Sequence, residues 1–182
     1  MATYVKLSRC QQAITRIGLL VSALGTVTAV AQSRAIAQPT LGDPAQGLKS
    51  RSSFATRNTP TQYYFTVHIP ETAQPLKTIK IQQILGVDTI TFQQDESKAF
   101  LGRSNQGTPL SLDAVGGAGE EDTLTVAFAQ PIQPGSNVTI TARPRLNPDT
   151  DGVYLFRLKG FTADASDPGQ SLGMGRIHVN SD

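Results

Sequence analysis

The stretch QYYFTVHI, residues 62–69, alternates between apolar and polar side chains. Four apolar residues fall on one face: Tyr63, Phe65, Val67 and Ile69. The other face carries Tyr64, Thr66 and His68. Because successive side chains of a strand point to opposite faces, a period of two is typical of a strand that buries one side. The stretch therefore predicts a half-buried β-strand.

The same alternation recurs along the rest of the chain. It is found in TIKIQQI (78–84), DTITF (88–92), TLTVAF (123–128), NVTITA (137–142) and RIHV (176–179). The run VYLFRL, residues 153–158, begins with apolar residues at both phases, which predicts a central strand. No segment of comparable length after the N-terminus shows a helical period. Several strands joined by short turns predict an all-β fold, an antiparallel β-sandwich that is immunoglobulin-like in broad architecture.

The N-terminus has the composition of a secretory signal peptide. Basic residues and no acidic one precede an apolar run at residues 17–31, and A-x-A sites end at Ala31 and at Ala37. Cleavage after Ala37 is preferred because it leaves a short polar segment behind the apolar run. A membrane anchor is the alternative, but a span needs about 20 apolar residues and this run is shorter. We therefore predict export to the periplasm, the cell envelope or the extracellular space, with no membrane span after cleavage.

Cleavage at this site divides the chain into three parts. Residues 1–37 form the signal peptide. Residues 38–60 contain three prolines and little periodicity, which predicts a disordered tail or linker. Residues 61–182 are predicted to form a single β domain.

Removal of the signal peptide changes the charge balance. Residues 1–37 hold four of the 16 Lys and Arg and none of the 14 Asp and Glu, so residues 38–182 carry a net charge of −2. The single cysteine, Cys10, also lies in the signal peptide. We therefore predict no nucleic-acid partner and a domain that depends on its core without disulfides.

Five sequence blocks carry a resemblance to a known family. They are YYFTVHIPETAQPLKTIKIQQ (63–83), AFLGR (99–103), QPIQPGSNVTI (130–140), NP-x-x-DGVYLF (147–156) and GQSLGMGRIHV (169–179). With these blocks in order, residues 62–179 resemble a family of secreted cyanobacterial proteins known only as a domain of unknown function. The resemblance implies export and a β domain, and it implies no reaction.

The stretch NPDTDG, residues 147–152, has the form of the first half of a calcium loop. Three oxygen-bearing side chains stand at alternate positions ahead of the glycine: Asn147, Asp149 and Asp151. An EF-type loop also needs a bidentate glutamate at its last position, where this chain has Leu158. A remote carboxylate from residues 120–122 would have to complete the shell.

The same stretch has the residues of a structural turn. Asn-Pro begins turns, Asp-Gly ends them, and an apolar strand follows at once. This favours a turn formed by Asn147, Pro148 and Gly152, with Gly152 supplying a positive φ before the strand.

Two histidines are a second candidate metal site. His68 and His178 fall on the polar phase of their predicted strands and would bind copper or zinc if those strands paired. No third nitrogen or sulfur ligand stands near either of them in sequence. Surface histidines are therefore favoured, and a metal site at Asn147, Asp149, Asp151, His68 or His178 is the alternative.

The stretch GQSLG, residues 169–173, matches the G-x-S-x-G pattern of hydrolases around Ser171. In those enzymes the serine sits on a strand-to-helix elbow, and an acid and a histidine follow along the chain. Here only nine residues follow Gly173, and they are typical of a strand. We therefore predict no catalytic residue and no cofactor.

These observations favour an exported, non-catalytic envelope or extracellular domain with a binding or structural role. Polysaccharide or an envelope protein is the expected partner. If exposed, Tyr63, Tyr64 and Tyr154 would supply an aromatic binding surface. A periplasmic domain that handles calcium or copper is the alternative.

Overall fold

The structure is a computed structural model that describes residues 48–116 and 122–181. These residues form ten strands and no helix, so none of them lies in a helix that could cross a membrane. The strands are β1 (Lys49–Ser52), β2 (Tyr63–His68), β3 (Leu76–Leu85), β4 (Phe92–Leu101), β5 (Thr108–Leu110), β6 (Leu112–Gly116), β7 (Thr123–Ile132), β8 (Asn137–Pro144), β9 (Gly152–Phe161) and β10 (Gln170–Val179). The predicted signal peptide lies outside the described residues, as does most of the acidic loop between β6 and β7.

The strands form two five-stranded sheets that pack face to face. The first sheet has the order β1-β2-β8-β4-β5 and the second has the order β10-β9-β3-β7-β6. All pairings between these strands are antiparallel. The prediction of an antiparallel, immunoglobulin-like β-sandwich is confirmed. The predicted central position of VYLFRL is confirmed as well, because β9 lies between β10 and β3.

The core fills the space between the inward faces of the two sheets. The alternation predicted for residues 62–69 is confirmed, since its four apolar residues are fully buried: Tyr63, Phe65, Val67 and Ile69. The second sheet contributes Ile79, Ile81, Phe156 and Leu158 to the same core. Each such side chain stabilises the fold by roughly 1.5–3 kcal/mol relative to an exposed one.

Aromatic rings join the sheets at the centre of the core. The ring of Phe156, on β9, lies 5.3 Å from that of Phe65 and 6.0 Å from that of Tyr63, both edge to face. The ring of Phe92 lies 6.1 Å from the ring of Phe156. Such pairs prefer these tilted geometries and contribute about 0.5–1.5 kcal/mol beyond area burial.

The prediction of a tail at residues 38–60 is wrong for its second half. Residues 49–52 form β1, which pairs with β2 along the edge of the first sheet. The hydroxyl of Ser50 also accepts from the N–H of Arg176 at 2.7 Å and donates to its carbonyl at 2.9 Å, on β10 of the second sheet. This strand, KSRS, is polar and is held by backbone and hydroxyl hydrogen bonds, so it has no hydrophobic alternation that would reveal it.

Three further parts of the sheets were not predicted. β4 continues for nine residues past Phe92 through the sequence QQDESKAFL. A register shift between Gln93 and Lys98 breaks the alternation there, so the pattern did not predict this part of the strand. The short strands β5 and β6 are separated by Ser111 alone, yet they belong to different sheets. The chain therefore crosses from one sheet to the other at the edges formed by β5 and β6, on the side opposite β1 and β10.

Candidate functional site at the loop end

Three loops meet at one end of the sandwich. The β8–β9 loop contains NPDTDG, and it contacts the β1–β2 loop through Asn147 and the β3–β4 loop through Thr150. We call this surface the loop end and define it as residues 54–59, 85–91 and 145–153.

The side chain of Asn147 ties the loop end together. It is 2 % exposed, and its Oδ1 accepts a hydrogen bond from the hydroxyl of Tyr63 at 2.8 Å. Its Nδ2 donates to the carbonyls of Phe54 at 3.0 Å and Thr56 at 2.7 Å. The backbone N–H of Asn147 donates to the carbonyl of Thr59 at 3.0 Å. The amide thus serves as a structural anchor between the first strands and the β8–β9 turn.

The phenol that donates to this amide is buried in the core. Burial raises the pKa of Tyr63 well above its ordinary value, and Tyr154 adds a smaller effect in the same direction. The hydroxyl therefore keeps its proton at physiological pH and remains a donor to Asn147.

A carboxylate from the β3–β4 loop is hydrogen-bonded to the second half of the β8–β9 turn, at Thr150. Asp88 accepts from the backbone N–H of Thr150 at 2.8 Å and lies 3.3 Å from the hydroxyls of Thr150 and Tyr154. The Tyr154 hydroxyl donates to the carbonyl of Thr150 at 2.7 Å. The pKa of Asp88 is lowered, first by the Thr150 N–H, because these donors favour the charged form. The turn thus directs N–H groups at an anion of its own chain.

The structure does not bring the candidate metal ligands together. Asp149 and Asp151 are exposed, while the Asn147 oxygen beside them is occupied by the Tyr63 hydroxyl. Among the described residues, no three His, Cys, Asp or Glu side chains are grouped closely enough to hold a metal ion. The predicted remote carboxylates Glu120 and Glu121 lie outside the described residues. A calcium role for these acids stays a prediction.

The two histidines lie on separate sheets. His68 is exposed on β2 of the first sheet, and His178 is exposed on β10 of the second. Their strands do not pair, which was the condition for a shared metal site.

The three tyrosines do not form an exposed aromatic surface. Tyr63, Tyr64 and Tyr154 are 0, 8 and 1 % exposed. Tyr63 and Tyr154 point into the core, and the ring of Tyr64 on the outer face is covered by the guanidinium of Arg51 at 3.7 Å. Long side chains of neighbouring strands bury a ring in this way, and strand alternation alone does not show it.

Aliphatic and phenylalanine side chains are exposed at the loop end instead. Five of the seven exposed large hydrophobic residues of the described chain lie there: Phe54, Leu85, Val87, Leu146 and Val153. The other two, Leu101 and Met174, lie on β4 and β10. Exposed apolar groups gathered in one region mark interaction surfaces more often than scattered ones do. The sequence signal was present in Leu85 and Val87, which flank a glycine after a strand pattern ends.

An open cleft of ≈ 650 Å³ lies within the loop end. Its lining includes Asn58, Asp88, Thr91, Gln93, Arg145 and Leu146. Asn58 adopts a positive φ of 52°, which asparagine tolerates better than most residues. The lining of the cleft combines an arginine, amides and hydroxyls with the exposed leucine, and protein–protein interfaces commonly combine polar and apolar groups in this way.

The serine of GQSLG lies within β10, as its strand-like surroundings predicted. Ser171 pairs with Lys159 of β9, and the register shifts between Ser171 and Gly173. The segment is thus a bulged edge strand rather than a strand-to-helix elbow.

Substitutions in the turn should separate its structural residues from its acids. Asn147→Ala is expected to lower the free energy of unfolding by about 3 kcal/mol, because it leaves the Tyr63 hydroxyl and two carbonyls without a partner. Gly152→Val should cost more than about 1 kcal/mol, since position 152 has a φ of +148°. Asp149→Ala, the matched control, should cost less than about 0.5 kcal/mol. Urea denaturation measures all three, and equal losses for Asn147→Ala and Asp149→Ala would contradict the turn assignment.

Acid should weaken the loop end through Asp88. Because its folded pKa lies below its ordinary value of 3.8, its stabilising effect is complete above that value and is lost as the pH falls through the folded pKa. The difference in free energy of unfolding between the wild type and Asp88→Asn should therefore be largest near neutral pH and shrink in acid. Urea titrations between about pH 7 and about pH 2.5 measure it. A difference that does not change with pH would show that the Asp88 charge has no role.

Several solved structures are similar to this chain at low sequence identity. The collagen-binding domain from a Staphylococcus aureus adhesin is 8 % identical, covers 72 % of this chain and 96 % of its own, and has a TM-score of 0.41. The collagen-binding subdomain of the Enterococcus faecalis surface protein ACE is 5 % identical, with 75 % and 99 % covered and a TM-score of 0.46. An uncharacterised Nocardia farcinica protein with an immunoglobulin-like fold is 11 % identical, with 74 % and 98 % covered and a TM-score of 0.46. Likeness at this level says nothing about a ligand.

The sequence comparisons give a family without a reaction. No curated protein matches the chain. A family model described as a protein of unknown function, DUF2808, matches residues 41–179. The expected resemblance to a family of unknown function is thereby confirmed. Because the match spans most of the sequence, the chain belongs to the DUF2808 family.

Proposed function

We propose that the chain is an exported, non-catalytic binding domain whose loop end contacts another protein of the cell envelope or the extracellular space. The observation that carries this proposal is the concentration of exposed apolar side chains at the loop end. Val87 is 76 % exposed and Phe54 is 61 % exposed, whereas the apolar residues on the inward faces of the strands are buried. Burial of such groups against a partner would remove apolar surface from water.

The loops that present these side chains are held in place before any partner arrives. Asn147 fixes the carbonyls of Phe54 and Thr56, and Asp88 fixes the backbone of Thr150. Loops at the ends of a sandwich are common binding sites because a rigid scaffold positions them. An ordered loop loses less conformational entropy on binding, so its contacts contribute more to affinity.

Export is supported by the N-terminal sequence and by the resemblance to secreted cyanobacterial proteins. A non-catalytic role is supported by the placement of Ser171 in a bulged strand and of His68 and His178 on separate sheets. No observation on the described residues favours the alternative of a metal-handling domain.

Export predicts a defined mature N-terminus. Protein recovered from the envelope or the medium of the producing cells should begin at Gln38, because Ala37 ends the preferred cleavage site. Mass spectrometry of the intact protein measures this mass. Cleavage after Ala31 would move the site within the same proposal, whereas an uncleaved chain in the cytoplasm would contradict export.

Two leucines of similar exposure test the loop end. Leu146 is 46 % exposed in the cleft, and Leu101 is 42 % exposed on β4. A photocrosslinking side chain at position 87 should join one envelope protein in the producing cells. Leu146→Asp should reduce the yield of that product at least about tenfold, because a charge enters an apolar contact, while Leu101→Asp should leave it unchanged.

The Leu101→Asp variant shows whether the loss of crosslinked product is specific to the loop end or follows from any new surface charge. Equal loss in the Leu101→Asp and Leu146→Asp variants, or no defined product at position 87, would contradict the loop end as a protein-binding surface. Circular dichroism of both variants checks that each remains folded.

A further inference from the structure

Basic residues form a line across the outer face of the second sheet. His178 and Arg176 lie on β10, Arg157 and Lys159 lie on β9, and Lys80 lies on β3. We call these five residues the basic stripe. Their sequence separation gives no hint of this arrangement, which arises only from the pairing of the three strands.

The register of the strands sets the path of the stripe. Arg176 is opposite Leu155, so Arg157 lies diagonally across from it, and Lys159 is directly opposite Lys80. Alternate residues of a strand are about 6.6 Å apart, diagonal neighbours about 7–8 Å and opposite residues about 5 Å. The stripe is therefore roughly 20–25 Å long by the same spacings.

These side chains point away from the core. The residues at the other phase of the same strands, Phe156, Leu158 and Ile177, are buried. Arg157 and Arg176 are exposed, and Lys159 is half-buried. The side chains of Arg157 and Arg176 thus lie on the outer surface of the second sheet, where a partner can reach them.

The strands of the second sheet contain few acidic residues. Asp113 is the single acidic residue in the five strands of this sheet. It forms an ion pair of 2.7 Å with Lys77, which is not part of the stripe. Within residues 48–116 and 122–181, no ion pair or hydrogen bond engages the side chains of Arg157, Lys159 and Arg176.

We propose that the basic stripe binds an extended, polyanionic polysaccharide with carboxylate or sulfate groups along its chain. A line of basic side chains on the outer face of a sheet matches a linear polymer, since several of its charges can be neutralised at once and their counterions released. A small anion would reach only one or two of these side chains. The stripe is a different surface from the loop end, so this binding goes beyond the protein contact proposed there.

Two other polyanions fit this face less well. Proteins that bind membrane surfaces commonly use aromatic anchors, but the chain has no tryptophan, and Tyr63, Tyr64 and Tyr154 are buried. Nucleic acid carries the required charge, but an exported domain meets the polymers of the cell surface. The choice of polysaccharide over nucleic acid therefore rests on the proposed export, which the mature N-terminus tests separately.

The experiment measures binding of the purified protein to defined probes. These are polygalacturonate, dextran sulfate, neutral dextran, double-stranded DNA and phosphatidylglycerol vesicles, each at about 50 and about 200 mM salt. Binding is expected for at least one of the two acidic polysaccharides, tighter than for DNA or vesicles and weaker at the higher salt. Neutral dextran should not bind.

Two triple variants with the same change in charge locate the site. Arg157→Gln/Lys159→Gln/Arg176→Gln should weaken polysaccharide binding at least about tenfold, because it removes most of the adjacent charges. Lys49→Gln/Arg51→Gln/Lys98→Gln removes three cations dispersed over the outer face of the first sheet and should weaken binding less than about twofold. Circular dichroism should show both variants folded, because all six residues lie on outer faces.

Three results would overturn the assignment. Equal weakening by the two triple variants would mean that net charge, not the stripe, drives binding. Preference for vesicles or DNA over both acidic polysaccharides would replace the partner. No measurable binding to either polysaccharide at the lower salt would remove the site. Leu146→Asp should leave polysaccharide binding unchanged, so the loop end and the stripe can fail independently.

Discussion

The hydrogen bond from the Tyr63 hydroxyl to Asn147 Oδ1 joins parts of the chain that are 84 residues apart. Both groups are buried, so the loss of either would leave a polar atom without a partner in an apolar setting. Tyr63 stands at the start of the strand that organises the core, and Asn147 stands in the turn that leads into β9. The same amide holds Phe54 and Thr56, so one side chain fixes the first strands, the turn and the exposed end together.

Residues that look like calcium ligands are used here in the opposite electrostatic sense. A calcium loop gathers oxygens around a cation, whereas this turn directs the N–H of Thr150 at the carboxylate of Asp88. The Asn147 oxygen accepts a hydrogen bond from the Tyr63 hydroxyl, and because burial raises the pKa of this phenol, the hydroxyl keeps its proton. Asn, Asp and Gly suit both arrangements for the same reason, which is that they accept unusual backbone angles and hydrogen-bond locally. Their order in sequence does not state which way the oxygens face.

Strands with strict alternation could be predicted because each buries one face of a two-sided sheet. β2 and β7 follow that rule, and in β8 the apolar residues that the pattern indicates are buried, although Thr139 and Thr141 on its other face are buried too. β1 could not be predicted, since its sequence KSRS is held at the edge by backbone pairing and by the Ser50 hydroxyl. The polar part of β4 was hidden by its register shift. Of the candidate site, the sequence singled out residues 147–152, but the exposure of Val87 and the burial of Tyr64 depend on neighbours that only the fold supplies.

The net charge does not indicate which surfaces of this protein are basic, because its basic and acidic residues are unevenly distributed among the strands. Residues 38–182 carry −2 in total, yet β3, β9 and β10 contain cations and no acidic residue. This separation depends on register. A slip of β9 by one residue would turn Arg157 and Lys159 into the core and Phe156 and Leu158 outward, and the cost of burying charges forbids it. The φ of +148° at Gly152 fixes where that strand begins. The turn anchored by Asn147 therefore determines which residues of β9 form the core and which form the basic stripe.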